Sequence, residues 1–167
     1  MPTLVLAFML WLTGPAQTDG SLPVGYRMPE KADYIGQWQD NRAKFPVPFH
    51  VRADFNGDSV PDDAWILLTG SQRAYGFFVH LASRQGTGQW IKLDDGAYAQ
   101  ASGLAVANPG RYKTGCRRGF GSGCGPNEPS QITLVRPAIE YFEFQGASSY
   151  FWWDVGTKTF KRTWMTD

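Results

Sequence analysis

The densest run of hard oxygen donors in the chain is Asp54-Phe55-Asn56-Gly57-Asp58-Ser59-Val60-Pro61-Asp62-Asp63. Asp54, Asn56, Asp58 and Asp62 stand at positions one, three, five and nine of this segment. Oxygen side chains at alternate positions turn inward when a backbone wraps a hard cation, and Ca²⁺ is the ion that such loops hold. The carbonyl of Val60, at position seven, is a further donor, and Asp62 is placed to close the site with both carboxylate oxygens. A set made only of oxygens selects Ca²⁺ over softer transition metals. Asp63 comes next, as an outer partner or as the first residue of a strand. The competing account is a solvated turn, since Asn-Gly and Asp-rich stretches are common turn formers. Four clustered carboxylates repel one another without a cation, although water screens much of that repulsion. The role expected for the ion is that of a structural clip.

The second chemically marked pair is Cys116 and Cys124, the only cysteines, in the stretch GCRRGFGSGCG. An isolated close pair bridges in an oxidising compartment, and the surrounding glycines let the chain fold back far enough. The spacing suits neither a zinc site nor a C-x-x-C redox pair, and the glycines lack the G-K-[ST] ending of a phosphate loop. Between the cysteines, Arg117, Arg118 and Phe120 form the candidate recognition surface, because rigid loops carry binding residues.

The remaining candidates are weaker. His50 lies just before the acidic segment, where an acid–base role is conceivable, and His80 shares a strand with Phe78 and Ala82. No Ser or Cys is placed for either to activate. Alternation along a strand sends Glu140 and Glu143 to opposite faces, against joint catalysis. The aromatics Tyr150-Phe151-Trp152-Trp153, with Phe160 and Trp164, have the chemistry to stack sugar rings. Four consecutive aromatics must nevertheless split between two faces of a strand, which makes them core formers first.

These residues need a scaffold of strands. At 167 residues the chain can bury a core of its own. Its aromatic content is high, Gly and Pro are frequent, and the formal net charge is +1. That composition favours sheets joined by tight turns, and the absence of a basic run argues against nucleic acid as a partner. Leu4 to Leu12 is an unbroken apolar run, too short for the roughly 20 residues of a membrane span, followed by Thr13-Gly14-Pro15-Ala16. It reads as a signal peptide over residues 1–16, although no Lys or Arg precedes it. Residues 17–28 read as a flexible leader and 29–167 as one β-rich domain, with no membrane span in the mature chain.

Within that domain the sequence predicts a helix from Pro29 to about Lys44, with Tyr34, Ile35 and Trp38 on one face and Pro46 and Pro48 after it. Strands are predicted at 49–52, 64–69, 75–83, 89–93 and 104–106, and again at 131–135, 140–144, 148–153 and 160–165. The segment 64–69 is apolar on both faces, as a central strand is, and short turns join 64–69 to 75–83 and 148–153 to 160–165. Residues 111–129 are expected to form the disulfide loop. The fold expected is mostly β (α+β): a twisted antiparallel sheet or meander with one N-terminal helix packed on it.

The segment DFNGDSVPDDAWILL resembles the calcium loop of FG-GAP and VCBS-type repeats, D-x-[DN]-G-D-G-x-x-D before a hydrophobic strand. It departs at position six, where Ser59 replaces the usual Gly, so a strained turn is expected there. Trp65 stands at position twelve, so the closing Glu of an EF-hand is absent. One copy in a chain this short implies the loop and not a propeller. The stretches DFNGD and DDAWILL, then PGRYKTGC, then SSYFWWDVGTKTFKRTWMTD are similar to a group of small exported bacterial proteins. That resemblance implies a periplasmic or secreted setting and lends no activity.

The functional expectation is an exported, non-enzymatic binding protein, stabilised by Ca²⁺ and one disulfide. Its partner would be an envelope protein met as an inhibitor or immunity-type factor. A carbohydrate- or peptidoglycan-binding module using the aromatic cluster is the alternative. An envelope hydrolase using the 54–63 region is the third, and it would need a cleft beside the metal with an open coordination position.

Overall fold

A computed structural model describes residues 21–70, 74–86, 88–121, 123–126 and 128–166. The apolar run expected as a signal peptide lies outside them. Eleven strands make the architecture mostly β: β1 (Tyr26–Arg27), β2 (His50–Ala53), β3 (Asp62–Thr69), β4 (Ala74–Leu81), β5 (Gln89–Ala97), β6 (Ser102–Ala107), β7 (Gly110–Lys113), β8 (Gln131–Leu134), β9 (Ala138–Glu143), β10 (Ser148–Asp154) and β11 (Thr159–Thr166). Every pairing is antiparallel.

The strands fall into two sheets and a hairpin instead of one meander. In the first sheet β3 and β4 are central and β5 follows β4. One edge of β3 is shared, since β2 pairs with Asp62–Trp65 while β1 pairs with Leu68 and Thr69. Tyr26 and Arg27 thus place the end of the stretch expected as a leader in this sheet. The Tyr26 ring meets Phe78 edge-on at 4.8 Å, and Arg27 holds Asp33 through two hydrogen bonds of 2.7 and 2.8 Å. The second sheet runs β11-β10-β9-β6, and β7 and β8 pair with each other as a two-stranded sheet.

The sheets pack face to face, as two half-buried surfaces must. From the first, Ala64, Ile66, Leu68, Tyr75, Phe77 and Val79 point inward; from the second, Leu104, Ile139, Tyr141 and Phe151 meet them. Phe77 stacks on Tyr141 at 5.3 Å and meets Phe151 edge-on at 5.1 Å. At the centre the hydroxyls of Tyr75, Tyr141 and Ser102 hydrogen-bond to one another, stitching the sheets together. A smaller cluster of Ala107, Ile132, Leu134, Ala138 and Met165 lies under the β7–β8 hairpin, on the other side of the second sheet.

The predicted helix over 29–44 is corrected. A 3₁₀ turn, Lys31–Asp33, is followed by a four-residue helix, α1 (Gln37–Asp40). Gly36, with φ 55° and ψ −134°, separates the two and ends any continuous helical path. Asp33 turns its carboxylate to Arg27 and to the Glu30 N–H, away from the surface face the helix would give it. Trp38 still fills the core and donates its indole N–H to the Ser102 carbonyl at 2.8 Å, but Ile35 is exposed. The expected loop 111–129 also opens on a strand, β7, whose partner is β8.

Candidate functional site

The acidic segment bridges β2 and β3, which pair directly on either side of it. Phe55 is fully buried in the main core and anchors the loop from within. Around it the loop closes on its own N–H groups. Asp54 accepts from the N–H of Gly57 (2.6 Å), Asp58 (3.2 Å) and Ser59 (2.9 Å). Asn56 Oδ1 accepts from Asp58 N, and Asp58 Oδ1 accepts from Val60 N. Ser59 carries φ 68°, so the strain expected at position six is present.

Asp62 is fully buried. Its Oδ2 accepts from Phe55 N at 3.0 Å and Asn56 N at 3.4 Å, and its Oδ1 accepts from Ala82 N at 3.0 Å, tying the loop to the end of β4. Burial pushes its pKa up to about 6, against the lowering effect of those three donors. A carboxylate has about four lone-pair sites. Three are filled here, so Asp62 can offer one oxygen to a cation but not a bidentate clasp. By the same count Asp54 and Asn56 each keep one free site and Asp58 keeps at least one. The donor set therefore fits a hard cation by chemical type. Among the described residues, however, no three His, Cys, Asp or Glu side chains are gathered closely enough to hold an ion.

Two arginines from distant segments reach the same loop. Arg136, just before β9, donates to the Asn56 carbonyl and lies against Gly57. Arg84 donates to the Asp58 carbonyl at 3.1 Å. These contacts bring positive charge to an acidic turn without any metal. Nothing local in the sequence signalled them, because they span 80 and 26 residues.

Cys116 and Cys124 are joined, with their Cα atoms 4.7 Å apart. The bridged loop is fixed to the second sheet by Gly115 N donating to Trp164 O (2.9 Å), and it closes on itself through Phe120 N donating to Gly115 O (3.1 Å). Arg117 and Arg118 are exposed on it and Phe120 is half-buried. A cleft of about 250 Å³ lies beside the bridge, lined by Thr114, Cys116, Glu128, Pro129, Arg162 and Trp164 among others.

His50 sits on the outer side of the first sheet. Its Nε2 is 2.7 Å from Asp63 Oδ1, and its ring stacks on Trp65 at 3.8 Å. Asp63 is thus a hydrogen-bond partner of His50 on β3 and not a loop donor. His80 faces Trp90 at 4.9 Å, and among the described residues neither His80 Nε2 nor Trp90 Nε1 has a hydrogen-bond partner. The terminal aromatics divide as alternation demands. Phe151 is in the core, Tyr150 and Trp152 pack under the β7–β8 hairpin, and Trp153 meets Phe160 at 5.2 Å.

Glu140 and Glu143 line one groove after all. The strand ends at Glu143 and the chain turns there, so the exposed Glu143 reaches the rim of a cleft whose floor holds Glu140. Burial raises the pKa of Glu140, opposed by the charges of Arg118 and Lys44. Sequence reading weighed Glu140 only as half of a carboxylate pair. Its neighbours Phe45 and Ala105 come from segments with no sequence signal of proximity.

Comparison of the chain with protein-family models, with curated proteins and with solved structures finds no match.

Proposed function

We propose that this protein works outside the cytoplasm as a non-enzymatic binding protein of the cell envelope, in the manner of an inhibitor or immunity-type factor. It meets a partner protein through the disulfide loop. The observation that carries this reading is the presentation of Arg117 and Arg118, both exposed on a segment braced by the Cys116–Cys124 bridge and by the hydrogen bond from Gly115 to Trp164 of β11. A pre-ordered loop loses little entropy on binding, and arginine is favoured where it meets a partner's carboxylates. The disulfide is compatible with an oxidising compartment, and no helix among the described residues is long and apolar enough to cross a membrane.

The same reading assigns one structural Ca²⁺ to the acidic loop. Asp54, Asn56, Asp58, the Val60 carbonyl and one oxygen of Asp62 would hold it. The support is their donor type, their free lone pairs and the tight turn at Ser59. The ion would fix β2 against β3 and neutralise the clustered carboxylates.

The test of the binding role is cross-linking in envelope extract with a photoreactive group at position 120, comparing the native chain with an Arg117→Glu/Arg118→Glu variant. The expected result is one protein captured by the native chain, with its Kd, measured after purification, at least about tenfold weaker for the variant, as loss of buried charge pairs produces. Equal affinity for both, or no specific capture, overturns the reading.

A further inference from the structure

We propose that the groove on the outer face of the second sheet is a binding site for a cationic side chain, a lysine or arginine presented by a partner, with Glu140 as its counter-ion. This deepens the binding reading above by naming what the partner inserts.

The register places Glu140 centrally. It lies on β9, opposite Ala105 of β6 and Tyr150 of β10, on the face turned away from the core. The β7–β8 hairpin covers one half of that face. The other half is an open cleft of about 600 Å³. Its wall is three phenylalanines in mutual contact, with ring centres 5.0 Å apart for Phe45–Phe142, 5.7 Å for Phe45–Phe144 and 5.2 Å for Phe142–Phe144. The Phe142 ring lies directly over Gly103, where a Cβ would come within 2.5 Å of it. Only a glycine on β6 leaves room for the ring to lie against the strand in this way.

The Glu140 carboxylate is half-buried, yet it makes no hydrogen bond and no ion pair among the described residues. The charged and titratable groups around it are Lys44, Arg118, Glu143 and Tyr150. Arg118 and Lys44 act on it only at a distance, and the Lys44 ammonium instead lies 5.2 Å over the Phe45 ring. A partly desolvated carboxylate without a close partner is unfavourable, and it regains stability from a proton or from an incoming cation. Aromatic faces beside that carboxylate favour an alkylammonium or guanidinium, whose stem packs on the rings while its head reaches the oxygen. Lys44 on Phe45 already shows an ammonium accommodated on this wall. An anion would be repelled by the floor, and a purely apolar group would leave Glu140 buried and unpaired.

The experiment is an NMR titration of the isotopically labelled chain with Nα-acetyl-lysine methylamide and with its uncharged counterpart, Nα-acetyl-norleucine methylamide. The lysine probe should give saturable shifts at the amides of Ala105, Phe142 and Ser148, with Kd on the order of 10⁻³ M for so small a ligand. The norleucine probe should bind at least about tenfold more weakly, because it lacks the charge. Glu140→Gln, which keeps side-chain size, should weaken the lysine probe to the norleucine level, and lowering the pH should do the same as Glu140 takes up a proton. Equal binding of the two probes identifies a merely apolar cleft and overturns the proposal. So does the absence of saturable shifts, or an affinity unchanged in Glu140→Gln. The comparison of probes on the native chain needs no variant to fold. Reversal of Arg117 and Arg118 can abolish partner capture while this titration persists, so the two readings fail separately.

Discussion

Asp62 supports a prediction in which the sign of a mutation depends on calcium. In the folded chain its pKa is raised from 3.8 to about 6, chiefly by burial. A raised folded value means that the folded state holds the proton more tightly than the unfolded chain. The associated stability is fully present below about pH 4 and is lost as pH rises through about 6. A shift of about two units corresponds to roughly 3 kcal/mol at neutral pH. Asp62→Asn removes the charge while keeping the shape. Its carbonyl oxygen can still accept from Phe55 and Asn56, but its NH2 group meets the Ala82 N–H donor to donor, so that hydrogen bond is lost at a cost of roughly 1–2 kcal/mol. In chelator at pH 7 the variant should therefore be more stable than the native chain by the difference, about 1–2 kcal/mol, or roughly 2–8 °C in Tm. The gap should close near pH 4, where native Asp62 is already protonated. With Ca²⁺ at about 100 times its Kd, the native chain should gain roughly 2.7 kcal/mol and the variant much less. The assay is thermal unfolding of both chains at pH 4 and pH 7, with chelator and with millimolar Ca²⁺. A variant less stable than the native chain in chelator at pH 7 would refute the argument that desolvation of the charge outweighs its three hydrogen bonds. A native chain indifferent to Ca²⁺ would refute the metal assignment and leave the segment a turn closed by Asp54 and two arginines.

Three further outcomes follow from single contacts. Ser59→Gly should raise stability by about 1 kcal/mol in chelator and preserve any Ca²⁺ response, since it relieves a left-handed φ of 68°; chemical denaturation measures it, and a loss of stability would mean that the Ser59 side chain contributes more than the strain costs. Replacing both Cys116 and Cys124 by Ser should cost roughly 2–3 kcal/mol, the chain-entropy value for so small a loop, and intact-mass analysis of the alkylated, unreduced native chain should find no free thiol. Tyr75→Phe removes one hydroxyl from the buried trio with Tyr141 and Ser102 and should cost about 1–2 kcal/mol; an unchanged denaturation midpoint would mean that Tyr141 and Ser102 satisfy each other fully.

Strand content was legible because it is written locally. Ala64 to Thr69 and Tyr75 to Ser83 are β-branched and aromatic runs bounded by turn formers, and they pair as β3 and β4. The short return between 148–153 and 160–165 is likewise the β10–β11 hairpin. The helix over 29–44 misled because Tyr34, Ile35 and Trp38 have helical spacing, while the deciding residue is Gly36, whose conformation belongs to the tertiary path. The division into two sheets was not legible at all. It depends on β6 bypassing its sequence neighbours to pair with β9, and no periodicity within either strand records that choice.

The same distinction runs through the candidate sites. The disulfide can be read from spacing, and the strained position six from the resemblance to a calcium loop that has Gly there, because both are consequences of a few consecutive residues. The state of each carboxylate cannot. Asp54 and Asp62 look equivalent in a motif, yet one lies at the surface turn and the other is fully buried on three backbone donors. Glu140 looks like an ordinary strand residue, yet the fold places it on the floor of an aromatic groove without a close partner. What a carboxylate can bind depends on how many of its lone pairs the fold has already filled. Asp62, largely filled, behaves first as a structural anchor. Glu140, unfilled, is the group with binding capacity left to use, and that residual capacity is set by contacts from Phe45, Ala105 and Tyr150 that meet only once both sheets have formed.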